Sequence, residues 1–286
     1  MTLSSSNKLT LTCIVLFALN FFIKFIFIAS TDISLDEPFT LFHSQKNVYD
    51  ILQLPKIDIH PPFHILIMHF WVKLFGTGIF SARFLSVLFS SFAAIALFLT
   101  GKKHFTFYTG LIAAFIFSAS DIQMFYAHDA RVYSLFMFLS IVNLNLFLGI
   151  IDFRADKNYK QFILFSMINL LLCYLHFFGF VIIFSEAILC LLIVQHRLHF
   201  RKICFSIAII LISFVWYIPI IIDRFRITTQ GNWIPYPLLS DLYTMIWRFS
   251  NVPVIAVTFI AVVLYTILFK WRKFNGELNS LALRLS

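Results

Sequence analysis

Charged residues are scarce in this chain, only 12% of its 286 positions, against 60% hydrophobic residues and a mean hydropathy of +0.90. So small a polar share cannot coat a water-soluble globule, and the chain therefore belongs in lipid. Glycine and proline are few, eight of each, which argues against low complexity. The four cysteines, Cys13, Cys173, Cys190 and Cys204, sit inside apolar runs with no CxxC or Cys/His ligand spacing. They read as small core hydrophobes and carry no zinc or redox motif. A Gly-rich phosphate cradle and a nucleotide-sugar loop are also missing. The net charge of +9 comes from small basic groups between apolar runs. No basic amphipathic face results, so the charge speaks of membrane topology and of no nucleic-acid partner.

What the chain has in abundance is apolar length and aromatic rings, with 38 Phe and 19% aromatics. Runs long enough to cross a bilayer fall near 9–29, 80–100, 105–125, 130–151, 161–177, 179–195, 203–222 and 253–270. The expected fold class is all-α: one polytopic membrane domain over 1–286, with about 8 transmembrane helices and juxtamembrane helices outside. The first run is longer than the core of a cleaved signal peptide, roughly 7–15 residues, and reads as a retained helix. Lys24, near its outer end, is expected to snorkel to the interface.

Residues 61–75 decide the topology. Opened by Pro61-Pro62 and closed by Gly76, they hold 15 residues including His64, His69 and Lys73. If they do not cross, the inner loops carry thirteen basic residues and the outer loops eight; if they cross, the outside holds fourteen and the inside seven. The positive-inside rule selects the first arrangement. Both termini are then cytoplasmic, and residues 61–75 form a non-spanning helix at the outer face of the plasma or inner membrane. One outer basin gathers a juxtamembrane loop with helices over 31–79, the turn at 126–131 and a loop over 223–252.

Within that basin stands Asp36-Glu37-Pro38. Adjacent carboxylates repel, which prepares one of them for a general base or a metal ligand. Alternatively, both simply cap a helix through 39–53. The second cluster is Tyr126-Ala127-His128-Asp129-Ala130-Arg131-Val132-Tyr133. Here Arg131 offers a fixed fork of donors for phosphate, Asp129 orients it or acts as a second acid, and the tyrosines clasp a headgroup. An interfacial Asp–Arg turn is the plainer reading. His60-Pro61-Pro62 opens the short helix, whose free N–H groups favour an anion. The last outer loop mixes Arg224, Arg226 and Arg248 with Trp233, Tyr236, Tyr243 and Trp247, suited to lipid phosphate and sugar rings.

In order, these pieces resemble the family 39-like members of the C-type glycosyltransferases, which include protein O-mannosyltransferases and the aminoarabinose transferase of lipid A. Three signatures carry the resemblance: Leu35-Asp36-Glu37-Pro38-Phe39; His60-Pro61-Pro62 through Trp71, Leu74-Phe75-Gly76 and Ala82-Arg83-Phe84; and Asp129-Ala130-Arg131-Val132-Tyr133. It covers residues 9 to about 150. Family members are commonly longer, so the resemblance points to a shortened relative.

The resemblance implies inverting transfer of a sugar from a polyprenyl-phosphate donor to a glycan, lipid or protein acceptor at the outer membrane face. Asp36 inherits the role of catalytic base, with Glu37 in reserve and Asp129 beside them. Arg131 holds the leaving phosphate with Arg83 or His60 in support, and Tyr133 lines the site. No organic cofactor is called for, and a divalent metal at the acidic pair stays open. Two rivals remain: a transporter or flippase, for which Glu186 and Pro219 are the sparse intramembrane signals, and a noncatalytic lipid-binding or assembly subunit that would not need Asp36.

Overall fold

A computed structural model of the chain describes residues 5–30, 32–34, 36–57, 60–151, 159–192 and 197–228, with isolated positions between 238 and 268. Among the described residues there is helix and turn but no strand. The long apolar runs become α1 (Ser5–Ile26), α5 (Ile79–His104) and α8 (Tyr133–Ile151), separated by the short α2 (Glu37–Ser44), α3 (Val48–Gln53), α4 (Phe63–Phe75), α6 (Phe107–Ser118) and α7 (Asp121–Ala127). Then follow α9 (Tyr159–Leu175), α10 (Phe178–Leu192), α11 (Arg197–Ser213) and α12 (Ile218–Thr228). Three helices, α1, α5 and α8, are long and apolar enough to cross a bilayer. Counting each bent pair as one span makes five.

The expected eight spans are therefore not reached among the described residues. The run at 105–125 breaks after Ser118, and α6 and α7 meet at 65°. The run at 203–222 bends by 45° around a 3-10 turn at Val215–Tyr217, just before Pro219. Helices α9 and α10 have 17 and 15 residues, and the run at 253–270 lies mostly outside the described residues. Helix α4 has 13 residues, about 20 Å at 1.5 Å each, short of a core about 30 Å thick. Pro62 stands at its N-cap, and Gly76 ends it at φ 81, a left-handed conformation that glycine adopts without steric cost.

Helix α5 is the centre of the bundle, packed by α1, α6 and α8. Its buried positions are mostly small, with Ala82, Ser86, Ser90, Ala93, Ala94 and Gly101 on the buried face, so neighbouring backbones come close. The tightest crossing is with α6: a Cβ on Gly101 would lie 2.5 Å from Gly110 Cα, and one on Gly110 would meet the Phe98 carbonyl oxygen. Helices α8 to α11 then pack in series around Phe147, Phe165, Ile183, Ile203 and Phe214. Outward positions such as Leu74, Phe115, Ile188 and Ile212 are large, apolar and exposed, the surface of a protein solvated by lipid.

Buried polar groups tie the helices together. Asn143 Nδ2 donates to Glu186 Oε1 at 2.7 Å and Asn169 Nδ2 to Asn143 Oδ1 at 2.8 Å, linking α8, α9 and α10. Lys24 overturns the snorkelling expectation. It is only 1% exposed, and its Nζ donates to Asn20 Oδ1 at 3.1 Å and Ser90 Oγ at 2.8 Å. The serine on α5 and the asparagine one turn back on α1 give the ammonium partners that the interface would otherwise supply.

The chain divides into two compact units, Met1–Ala119 with Gln123–Trp233, and Ser120–Ile122 with Ile234–Ser286. In the second, Asp241 Oδ2 accepts the Leu238 N–H at 2.7 Å and Thr244 Oγ1 donates to the Ser240 carbonyl, as at a helix start. Of the expected outer loop, Trp233, Tyr236, Tyr243, Trp247 and Arg248 lie outside the described residues.

Candidate functional site

At one end of the first unit meet the C-terminus of α1, the segment 32–57, the N-termini of α4 and α5, and the turns before α8 and α10. The anchor is Glu37. Its Oε1 accepts from Arg83 Nε and the Ala130 N–H, both at 2.8 Å, and its Oε2 from Arg83 Nη2 at 2.7 Å and the Ser34 N–H at 3.1 Å. Arg83 is wholly buried and also donates to the carbonyls of Ile28 and Asp32, each at 2.9 Å. Burial alone would raise the Glu37 pKa, but Arg83, Ala130 and Ser34 outweigh it and leave it below the usual carboxylate value.

Two sequence expectations change here. Glu37, expected as the reserve base, has both oxygens engaged, and Arg83, expected to support the phosphate, spends its fork on Glu37 and two carbonyls. Together they clamp α2 to α5 and hold the turn before α8 in place. The helix-capping alternative holds in part: Asp36 stands at the N-cap of α2 and Glu37 in its first turn, but Asp36 makes no side-chain capping bond, and the helix expected over 39–53 is split into α2 and α3. The split comes at Asn47, whose Oδ1 accepts the Asp50 N–H and starts α3.

Asp36 itself points away from this clamp. Its side chain is 62% exposed and lies 3.6 Å from Arg131 Nη2. Arg131 Nη1 donates weakly to Thr40 Oγ1 at 3.3 Å, while Arg131 Nε is buried with no hydrogen-bond partner. Asp129 is buried, accepts from Ser34 Oγ at 2.9 Å, and through its carbonyl receives Ser86 Oγ at 2.7 Å. Burial first, and then the charges of Glu37 and Asp36, push its pKa up to about 6, against Ser34 and Arg131. Such a carboxyl can carry a proton near neutral pH.

Arg131 faces a cavity of about 30 Å³, room for roughly two waters. Its lining holds three of the four expected binding residues, His60, Arg131 and Tyr133, with Pro61 and Pro62 at the N-terminus of α4. Asp36 and Asp129 adjoin Arg131 without lining this cavity. The first-turn N–H groups of α4 have no carbonyl to bond within their own helix, and the helix dipole adds partial positive charge there.

Two further histidines complete the lining, and sequence reasoning missed both as site residues. Burial, with Arg131 nearby, pushes the His64 pKa down to about 3. His176, in the turn between α9 and α10, lies 5.6 Å from the His60 ring and is lowered by burial, His60 and Arg131. Its Nδ1 accepts the Phe178 N–H at 3.2 Å, so the neutral ring carries its proton on Nε2 as a donor. The available signal was a lone histidine in the turn between two apolar runs, on the outer side by the same charge count. Among the described residues no group of three His, Cys, Asp or Glu side chains clusters as a metal site requires. Compared with protein-family models, curated proteins and solved structures, the chain matches none of them.

Proposed function

We propose that this chain is a membrane glycosyltransferase that moves a sugar from a polyprenyl-phosphate donor to an acceptor hydroxyl or amine at the outer membrane face. The reading rests chiefly on one observation: Arg131 lines a cavity together with histidines and a helix N-terminus, its buried Nε–H has no hydrogen-bond partner, and an exposed carboxylate lies beside its Nη2. An anion is the missing partner for the guanidinium. The carboxylate beside it is a base positioned for a second substrate.

In this mechanism Asp36 takes the acceptor proton as the acceptor atom bonds the anomeric carbon from the face opposite the phosphate, and the bond from that carbon to the phosphate oxygen breaks. Polyprenyl phosphate leaves as an anion stabilised by Arg131, His176 Nε2–H and the α4 N-terminus. Asp129 holds Arg131 electrostatically and is the group able to return a proton. A lipid donor accounts for a site at the end of a helix bundle, with α9, α10 and residues 253–270 completing eight spans and both termini inside.

The narrow cavity favours a second reading, a noncatalytic subunit that grips lipid phosphate without turning it over. A panel of polyprenyl-phosphate sugars offered to the purified protein separates the two. Transfer of at least one sugar, weakened by Arg131→Lys because a point charge replaces a fork, supports the enzyme. Donor binding with no transfer from any of them supports the subunit.

A further inference from the structure

A groove of about 600 Å³ runs between α9 and α11, remote from the site above. Its walls are Phe162, Ile163, Met167, Leu170, Phe205 and Ile209. Its polar floor is closed on itself: Ser166 and Ser206 hydroxyls lie 2.6 Å apart, one donating to the other, and the second proton goes to the carbonyl of Phe162 or Lys202 one turn back. What remains is an apolar trough whose rim residues Ile163, Met167 and Phe205 are more than half exposed. At one end, where α9 and α11 begin, stand Tyr159, Arg201 and Lys202.

Both cations are exposed, and neither pairs with a carboxylate among the described residues. Lys202 Nζ rests 5.5 Å from the Tyr159 ring and 5.0 Å from that of Phe162, which holds the ammonium over the mouth of the trough. An apolar trough and a cationic mouth together describe an amphiphile with an anionic head. We propose that the groove binds an anionic phospholipid, one acyl chain lying along α9 and α11 and its phosphate held by Arg201 and Lys202. A zwitterionic lipid brings its own cation to the mouth and gains less there. Free phosphate gains little from two exposed cations in water.

The test uses the full chain purified in a mild detergent and titrated with phosphatidylglycerol, with phosphatidylcholine of the same chains, or with inorganic phosphate. Retained lipid and melting temperature are the readouts. Phosphatidylglycerol is expected to be retained and to raise the melting temperature, with the other two having little effect. Arg201→Ala with Lys202→Ala should weaken its retention by about tenfold or more, each cation near an anionic headgroup counting for about fivefold. Met167→Trp, which fills the trough and leaves the mouth charged, should weaken retention of the same lipid. Equal retention of both lipids, an equal effect of inorganic phosphate, or unchanged retention in both variants would each overturn the assignment.

Discussion

The residues that decide this site act through partners far away in the chain. Glu37 and Arg83 are 46 positions apart and share a buried two-point ion pair. Removing one member strands a charge, so Arg83→Met should destabilise the protein by about 3–5 kcal/mol, whereas Arg83→Met combined with Glu37→Leu should recover only part of that loss, because the Ala130 and Ser34 N–H groups and the Ile28 and Asp32 carbonyls then lack these partners. Melting in detergent measures both. The two carboxylates also respond to pH in opposite senses. Glu37, lowered when folded, contributes stability that is present above the ordinary carboxylate pKa and lost as pH falls through its own lower value. Asp129, raised to about 6, favours the folded state when protonated, and that contribution disappears as pH rises from about 4 to beyond 6. Asp129→Asn keeps the acceptor for Ser34 and never charges, so it should melt higher than the parent at pH 8 and close to it at pH 4. The same melting temperature shift at both pH values would remove the buried-carboxyl argument. At this scale the sequence showed which side chains carry chemistry but could not assign their partners. Asp36 and Arg131 were singled out by type and are adjacent; Glu37, Arg83 and Lys24 were equally visible and turned out to be structural, because only tertiary contacts reveal that their donors and acceptors are already used.

Helices in this chain were legible where apolar length alone dictates them, as in α1, α5 and α8. They were not legible where a break has no proline to mark it: Ser118 to Asp121 reads as a continuous hydrophobic run, since hydropathy does not sense a bend, whereas Pro219 marked the break beside it. Helix α4 was recognised from Pro61-Pro62 and Gly76, whose backbone preferences act locally. Polar links between helices were seen only as isolated letters. Glu186 is the clearest case: Asn143 serves its Oε1, while Oε2 and Asn169 Oδ1 are buried without a hydrogen-bond partner, with Asn169 close to the carboxylate. Glu186→Gln supplies an N–H toward Asn169 and should melt at or above the parent temperature. Glu186→Leu leaves Asn143 Nδ2 unpartnered and should cost about 1–3 kcal/mol. If leucine were as well tolerated as glutamine, the polar tie would not be holding α8, α9 and α10.

For the whole molecule, the order of elements places 32–57, the turn before α8 and the turn before α10 at one end of the bundle, opposite Lys102, Lys103 and the start of α9. The charge count expects the first of these ends outside and the second inside. Cysteine labelling from either side of the membrane should find Asp36→Cys, at an exposed position, reactive from outside, and positions 102, 154–160 and 197–202 reactive from inside. Labelling of Asp36→Cys solely from the cytoplasmic face would invert the topology. The narrow cavity adds a second expectation at this scale. On the proposed function, a cavity of about 30 Å³ predicts that donor binding widens the gap between α4 and the turns before α8 and α10. The anion should also raise the lowered pKa of His176, so donor binding should tighten as pH falls, with Arg131→Lys weaker throughout. The most direct test of the account is the rate of sugar transfer by Asp36→Asn, measured alongside its donor affinity. Transfer nearly abolished, with donor binding and melting temperature kept, is the predicted result; full transfer activity in Asp36→Asn would contradict it.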